Sequence, residues 1–192
     1  MSELRATLIR IAYENPHLRD KILPVVTTGE SMVKEAAKRK KSTKVTFIEA
    51  VLESPTDLTD WLSQQEGAPS ITGWDVKSHH MTMEFLGGKG KAKDLERYKQ
   101  FLGNSYTINI VGYVFDESCV AVLIDTNLPV VNKHPHITVA VNGVKPSYSN
   151  ELLERGNIIE AKGKLRVKVG YFDGRGGGDK FELPYEFYES ER

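Results

Sequence analysis

Two short apolar segments of the chain each carry a histidine and, two positions later, a threonine. The first, residues 79–85, contains His80 and Thr82, and the second, residues 134–141, contains His136 and Thr138. β-Branched, Met and aromatic residues dominate both segments, which predicts two β-strands. Successive side chains of a strand point to opposite faces, so each histidine shares a face with its threonine. The alternate residues on the other face are apolar and are expected to enter a core: Met81, Met83, Ile137 and Val139.

The two His-x-Thr pairs supply the functional groups that phosphodiester chemistry requires. The chain has only five histidines in 192 residues, so their occurrence in two matching strands indicates a shared role. Opening a phosphodiester requires an activated oxygen nucleophile on one side of phosphorus and a protonated leaving oxygen on the other. Two imidazoles can supply both functions, and threonine hydroxyls can donate to non-bridging oxygens. We therefore predict His80 and His136 as catalytic residues, Thr82 and Thr138 as phosphate-binding residues, and no cofactor.

Zinc coordination is the alternative interpretation of these histidines. His79, His80, His134 and His136 are all candidate ligands. Neither segment supplies Cys, Asp or Glu at ligand spacing, and Pro135 stiffens the second segment. We therefore expect a site without a metal. His79 and His134 are predicted to have structural roles, and a position that supports the catalytic residues or touches the edge of the substrate is the alternative.

Two weaker candidates follow the second strand. Tyr148 is predicted to stack on a base, and Lys145 to pair with a phosphate, because both come shortly after the second pair in sequence. An ordinary turn with a packed tyrosine is the alternative. Ser149 or Asn150 is expected to cap the helix that begins there.

The doubled His-x-Thr pattern resembles the 2H phosphoesterase superfamily, which includes RNA 2',3'-cyclic phosphodiesterases, LigT-like enzymes and phage relatives. The resemblance covers residues 44–192 and implies two lobes of antiparallel sheet, with helices outside, facing each other across a central cleft. It implies a hydrolase that opens a nucleotide or RNA cyclic phosphodiester, either a 2',3'-cyclic phosphate or a cyclic oligonucleotide. RNA processing and cyclic nucleotide cleavage in phage anti-defence both stay open. A non-catalytic RNA- or nucleotide-binding module with the same cleft is the alternative.

Hydrophobic periodicity independently predicts an α+β fold without Rossmann-type repetition. A flexible turn is expected at residues 87–91, which are rich in glycine. Helices are predicted around three segments: residues 54–67, 95–102 and 148–155. Strands are predicted at seven segments: residues 45–52, 74–85, 106–114, 119–124, 136–141, 165–172 and 181–187.

Residues 1–43 are predicted to form a helical arm outside a domain that spans residues 44–192. Leu4, Leu8 and Ile11 make an apolar stripe, and Pro16 and Pro24 interrupt the helical pattern. The stripe needs a partner surface, so we expect the arm to pack on the domain or to form a homo-oligomer. The basic run at residues 34–41 is interpreted as a solvated face, with RNA contact as the alternative.

Composition limits the remaining classes of function. Lys and Arg balance Asp and Glu, 26 against 26, so the whole chain has no bias towards polyanions. The single cysteine, Cys119, excludes an intrachain disulfide and agrees with a cytoplasmic location. No apolar run approaches the roughly 20 residues of a membrane span, so no membrane partner is expected.

Overall fold

A computed structural model describes residues 44–174 and 178–184. The predicted N-terminal arm, residues 1–43, lies outside these described residues. Within them, strands outnumber helices and pair antiparallel throughout, so the predicted α+β class is confirmed. None of the helices in this part of the chain is long and apolar enough to cross a membrane.

The elements are named here in chain order. Helix α1 spans Pro55–Ser63, a 3-10 helix spans Ala92–Tyr98, and helix α2 spans Tyr148–Arg155. The strands are β1 (Val45–Leu52), β2 (Asp75–Val76), β3 (His80–Gly90), β4 (Ser105–Phe115), β5 (Cys119–Asp125), β6 (His136–Val141), β7 (Ile159–Phe172) and β8 (Asp179–Lys180).

Six of the strands close into a ring. The order around the ring is β1, β3, β6, β5, β4 and β7, and β7 pairs with β1 to complete it. The short strands β2 and β8 pair with β6 and β7. The junction between β3 and β6 consists of one pair, Met81 with Ile137, whereas β1 and β3 share six. Within the ring, the two His-x-Thr strands therefore have the fewest paired residues between them. The two-lobed arrangement that the resemblance implies stays a prediction.

Side-chain alternation along β3 and β6 follows the sequence prediction. Met81, Met83, Ile137 and Val139 are fully buried in the main core. Burial of each such side chain contributes about 1.5–3 kcal/mol. A slip of one residue in either strand would expose these residues and bury the histidines, so the core fixes which face each His-x-Thr pair presents.

The strand predicted over residues 74–85 is broken. At residues 77–79 the chain leaves the strand conformation, and the amides of Lys77 and Ser78 both donate to the carbonyl oxygen of Val139. Strand β2 therefore pairs with β6 and does not continue into β3. The sequence pattern could not predict this break because apolar residues occur on both sides of it.

The flexible turn predicted at residues 87–91 is also wrong, because β3 runs through to Gly90. Gly87 and Gly88 adopt φ values of 61° and 70°. This left-handed conformation costs glycine little and lets β3 bulge against β1 between Phe85 and Gly90 while strand pairing continues.

Further boundaries differ from the prediction. Helix α1 ends at Ser63 and not at Gly67, and β7 begins at Ile159 and not at Leu165. The helix expected over residues 95–102 is a 3-10 helix that ends at Tyr98. The last strand among the described residues is Asp179–Lys180, which pairs with Phe172 and Tyr171 of β7. The strand predicted over residues 181–187 is not formed by the described residues 181–184.

Candidate active site

A cavity of about 830 Å³ brings the two His-x-Thr pairs together. Strand β3 contributes His80 and Thr82 to its wall, and β6 contributes His136 and Thr138. The volume lies in the range of pockets that bind small molecules and cofactors.

The single pair between β3 and β6 sets the geometry of the four side chains. Met81 lies opposite Ile137 in an antiparallel register. On either side of this contact, His80 and Thr82 pair with residues of β1, and His136 and Thr138 pair with residues of β5. The two His-x-Thr pairs therefore approach each other at a single contact and face one cavity.

His136 is held by a main-chain carbonyl and a hydroxyl. Its Nδ1 lies 2.7 Å from the carbonyl oxygen of His134, which can only accept, so Nδ1 carries the proton of the neutral ring. Its Nε2 lies 2.9 Å from Ser149 Oγ. Burial lowers the pKa of His136, which favours the neutral ring and leaves a lone pair on Nε2.

Ser149 connects the two members of the second pair, and the sequence did not predict this role. Its hydroxyl is buried, accepts a hydrogen bond from Thr138 Oγ1 at 2.9 Å, and lies 2.7 Å from the carbonyl oxygen of Pro146. Since serine has one proton, it donates either to His136 Nε2 or to Pro146. The expected helix cap is wrong, because Ser147 occupies the cap position of α2. The sequence feature that could have indicated this role was a serine in the first turn of α2, the helix that follows β6.

His80 is held by ionisable side chains. Its Nδ1 lies 3.3 Å from Nδ1 of His79 and 3.4 Å from Oε2 of Glu49. Its ring stacks on Phe47 with 5.0 Å between centroids. Burial, and then the positive charge of His79, lower the pKa of His80 to about 4.

Glu49 and Asp179 complete this side of the site, and neither was predicted. Burial raises the pKa of Glu49 to about 9, and the negative charge of Asp179 adds to the effect. The Glu49 carboxyl therefore holds a proton at neutral pH. Asp179 Oδ2 lies 3.2 Å from Nε2 of His79. The sequence signal for Glu49 was an acidic residue inside the otherwise apolar strand β1.

The two weaker sequence candidates are placed elsewhere. Neither Lys145 nor Tyr148 lines the cavity. Tyr148 instead donates from Oη to Asp116 Oδ2 at 2.8 Å, and its ring lies beneath the guanidinium of Arg155. His134 is also outside the cavity lining, and its Nε2 lies 3.3 Å from Glu154 Oε1.

Aromatic surface at the cavity comes from the His80 side. Phe47 and Phe85 both line it, and Phe85 is 68 % exposed although it is a large apolar residue. An exposed aromatic ring at the edge of a cavity is typical of sites that stack on nucleobases.

The family model of the fungal tRNA ligase phosphodiesterase domain matches residues 74–173, which is more than half of the chain. The chain belongs to this family. The fungal tRNA ligase phosphodiesterase domain is a 2H phosphoesterase domain, so the predicted superfamily is confirmed. The match includes both His-x-Thr pairs and Ser149, but Glu49 precedes it and Asp179 follows it. No curated protein matches the chain.

Proposed function

We propose that the chain is a metal-independent hydrolase that opens a 2',3'-cyclic phosphate at the end of an RNA. The observation that carries the proposal is the convergence of two imidazoles and two threonine hydroxyls on one cavity. The family supports an RNA substrate, since its description names a tRNA ligase and a phosphodiesterase.

His136 is the general base in this mechanism. Its Nδ1–H is held by the carbonyl of His134, so Nε2 offers the lone pair that takes a proton from the attacking water. Ser149 controls access to that lone pair. When its hydroxyl turns to the Pro146 carbonyl, which lies 2.7 Å away, Nε2 is released for the water.

His80 is the general acid. No hydrogen bond joins its Nε2 to another of the described residues, so Nε2 is available to the substrate. The negative charge of a bound phosphate favours the protonated imidazole. As the water oxygen bonds to phosphorus, the bond from phosphorus to one ring oxygen breaks, and His80 protonates that oxygen. The product is a phosphomonoester beside a free hydroxyl.

Thr82 and Thr138 bind the non-bridging oxygens of the phosphate. Their hydroxyls lie on the same face of β3 and β6 as the imidazoles, and donors placed at these oxygens stabilise the charge that develops in the transition state. Thr138 donates to Ser149 in the substrate-free site, so substrate binding and the release of His136 Nε2 involve the same hydroxyl pair.

The test is a turnover screen in EDTA with RNA ending in a 2',3'-cyclic phosphate, beside 3'-phosphate RNA and a cyclic oligonucleotide. We expect turnover of the first substrate, with its new monoester located by nuclease mapping. Turnover that appears only on adding a divalent metal would contradict the metal-independent mechanism. Tight binding of cyclic phosphate RNA without turnover would make the chain a binding module.

A further inference from the structure

We propose that Glu49, His79 and His80 form a Zn²⁺ site on one wall of the cavity, and that zinc bound there inhibits turnover. The binding goes beyond the proposed reaction, which needs no metal. Only the inhibition rests on the proposed function.

Two of the three separations between the ligand atoms match tetrahedral coordination. His80 Nδ1 lies 3.3 Å from His79 Nδ1 and 3.4 Å from Glu49 Oε2. One ligand atom of each residue lies within 4.8 Å of the others. Nitrogen and oxygen ligands about 2.0–2.1 Å from a tetrahedral zinc ion lie about 3.3–3.4 Å apart, so both measured separations already have the required value.

Glu49 supplies an independent indication of a ligand. Its side chain is fully buried, no donor among the described residues reaches either carboxylate oxygen, and its only polar neighbour besides His80 is a second carboxyl group, that of Asp179. The contact with His80 Nδ1 is close, but it lacks hydrogen-bond geometry. Burying a polar group without a partner costs free energy, and buried charges are normally paired or coordinate a metal. Glu49 holds a proton in the metal-free site, and a cation bound between Glu49 and the two imidazoles would displace that proton and pair with the carboxylate.

Asp179 prepares His79 for coordination. Asp179 Oδ2 lies 3.2 Å from His79 Nε2, which places the ring proton on Nε2 and leaves the lone pair on Nδ1. Imidazoles that bind zinc generally donate their other ring N–H to a carboxylate or carbonyl, and this partner fixes the tautomer and orientation. His79 and His80 both line the cavity, so the fourth position of the ion is open to water or to a substrate oxygen.

Zinc on Nδ1 of His80 explains the expected inhibition. The metal-bound ring keeps one proton, on Nε2, and losing it would produce an imidazolate. Such a ring is a far weaker acid than an imidazolium, so it does not readily protonate the leaving oxygen. This site differs from the zinc alternative considered from the sequence, because His134 contacts Glu154 and His136 contacts Ser149.

The experiment uses the full chain after removal of metals. Zinc is titrated in competition with a chromogenic chelator, and turnover of RNA with a 2',3'-cyclic phosphate end is followed in parallel. We expect one tight site per chain and at least about a tenfold loss of turnover at saturation, reversed by EDTA. Cobalt in place of zinc should give the visible absorption bands of a four-coordinate ion.

His79→Gln removes a ligand and leaves the catalytic residues unchanged. We expect it to abolish tight zinc binding, and whatever turnover the variant retains should no longer fall when zinc is added. Asp179→Asn should weaken zinc binding by about 10–100-fold, the usual effect of losing the partner of a metal-bound histidine. This second variant tests the site if His79→Gln does not fold. His134→Gln is the matched control, because it removes a histidine and leaves this cluster intact.

Absence of zinc binding by the native chain, or equal affinity in native and His79→Gln chains, would overturn the site. Zinc binding without loss of turnover would overturn the assignment of His80 as a ligand. Because the titration needs no substrate, absence of turnover on every cyclic phosphate would contradict only the proposed function and the inhibition that rests on it.

Discussion

The two His-x-Thr halves carry the same motif in different surroundings. His80 lies among ionisable groups from neighbouring segments, with Glu49 and His79 at its Nδ1. His136 has a main-chain carbonyl at Nδ1 and the Ser149 hydroxyl at Nε2. A carboxyl group can exchange a proton with its partner, whereas a carbonyl only accepts a hydrogen bond. The motif therefore determines where each imidazole lies, and the neighbours determine its proton chemistry.

The largest effects are expected from the histidines themselves. His80→Ala and His136→Ala should each reduce turnover of cyclic phosphate RNA by about 10²-fold or more, the scale of general acid–base catalysis. His134→Ala is the control, since its side chain lies outside the cavity lining. Near-native turnover in either active-site variant would contradict the paired mechanism.

A substrate with sulfur in place of the leaving ring oxygen tests the difference between the halves. A thiolate leaves without protonation far more easily than an alkoxide. We therefore expect this substrate to restore much of the lost rate to His80→Ala and little to His136→Ala. The opposite pattern would exchange the acid and base assignments.

Phe85 tests whether the nucleobase is bound on the His80 side. Loss of one stacking side chain costs about 1–3 kcal/mol per base, so Phe85→Ala should raise KM by about 5–100-fold and change kcat little. Val131→Ala is a matched control, because Val131 is also an exposed apolar residue but does not line the cavity. An unchanged KM would place the base elsewhere.

Ser149→Ala tests the hydroxyl that is specific to the His136 side. A hydrogen bond contributes about 0.5–1.5 kcal/mol, so we expect kcat to fall by about 2–10-fold.

Burial lowers the pKa of His136, which places the acidic limb of the native pH–rate profile below pH 6.5. Losing a donor to Nε2 destabilises the neutral ring, so this limb should move to higher pH. Ser147→Ala, a change in an exposed serine at the same cavity, should leave the limb in place.

The lowered pKa of His136 also makes folding stability depend on pH. Below pH 6.5 the unfolded chain binds a proton at this position that the folded chain does not, so stability falls as pH decreases. One such proton gives a slope of at most about 1.4 kcal/mol per pH unit. In urea titrations at pH 5 and pH 7.5, His136→Asn should lose less stability on acidification than the native chain. An equal loss would mean that His136 titrates normally.

The smallest effect is expected from deleting residues 1–43. Both halves of the site are built from later residues, so turnover of a short cyclic phosphate substrate should stay within a few-fold. We propose that the segment serves self-association or stability, which light scattering and thermal unfolding of the truncated chain would detect. A folded truncation without activity would show that the segment completes the site.

The sequence predicted local features better than contacts between distant segments. Short apolar segments rich in β-branched residues identified β1, β5 and β6 to within a residue, because these strands are largely buried and have clear ends. The bulge at Gly87 was missed because a glycine-rich segment is typical of a turn but can also lie inside a bulged strand. Glu49 and Asp179 were missed because the ring closure that brings them to His80 and His79 is not encoded in local spacing.

The closed ring also bears on self-association. Free strand edges are templates for pairing with other chains, and each of the six ring strands has a neighbour on both sides. Where β3 and β6 share only one pair, a loop covers the edge of β3. The Val131 amide donates to the carbonyl oxygen of Met83, and the Asn132 side chain donates to that of Thr82. These two hydrogen bonds occupy acceptors of β3 to which a foreign strand would otherwise have to donate. In the proposed function this place is also the entrance to the cavity, so the loop would have to limit strand pairing without closing the site to the substrate.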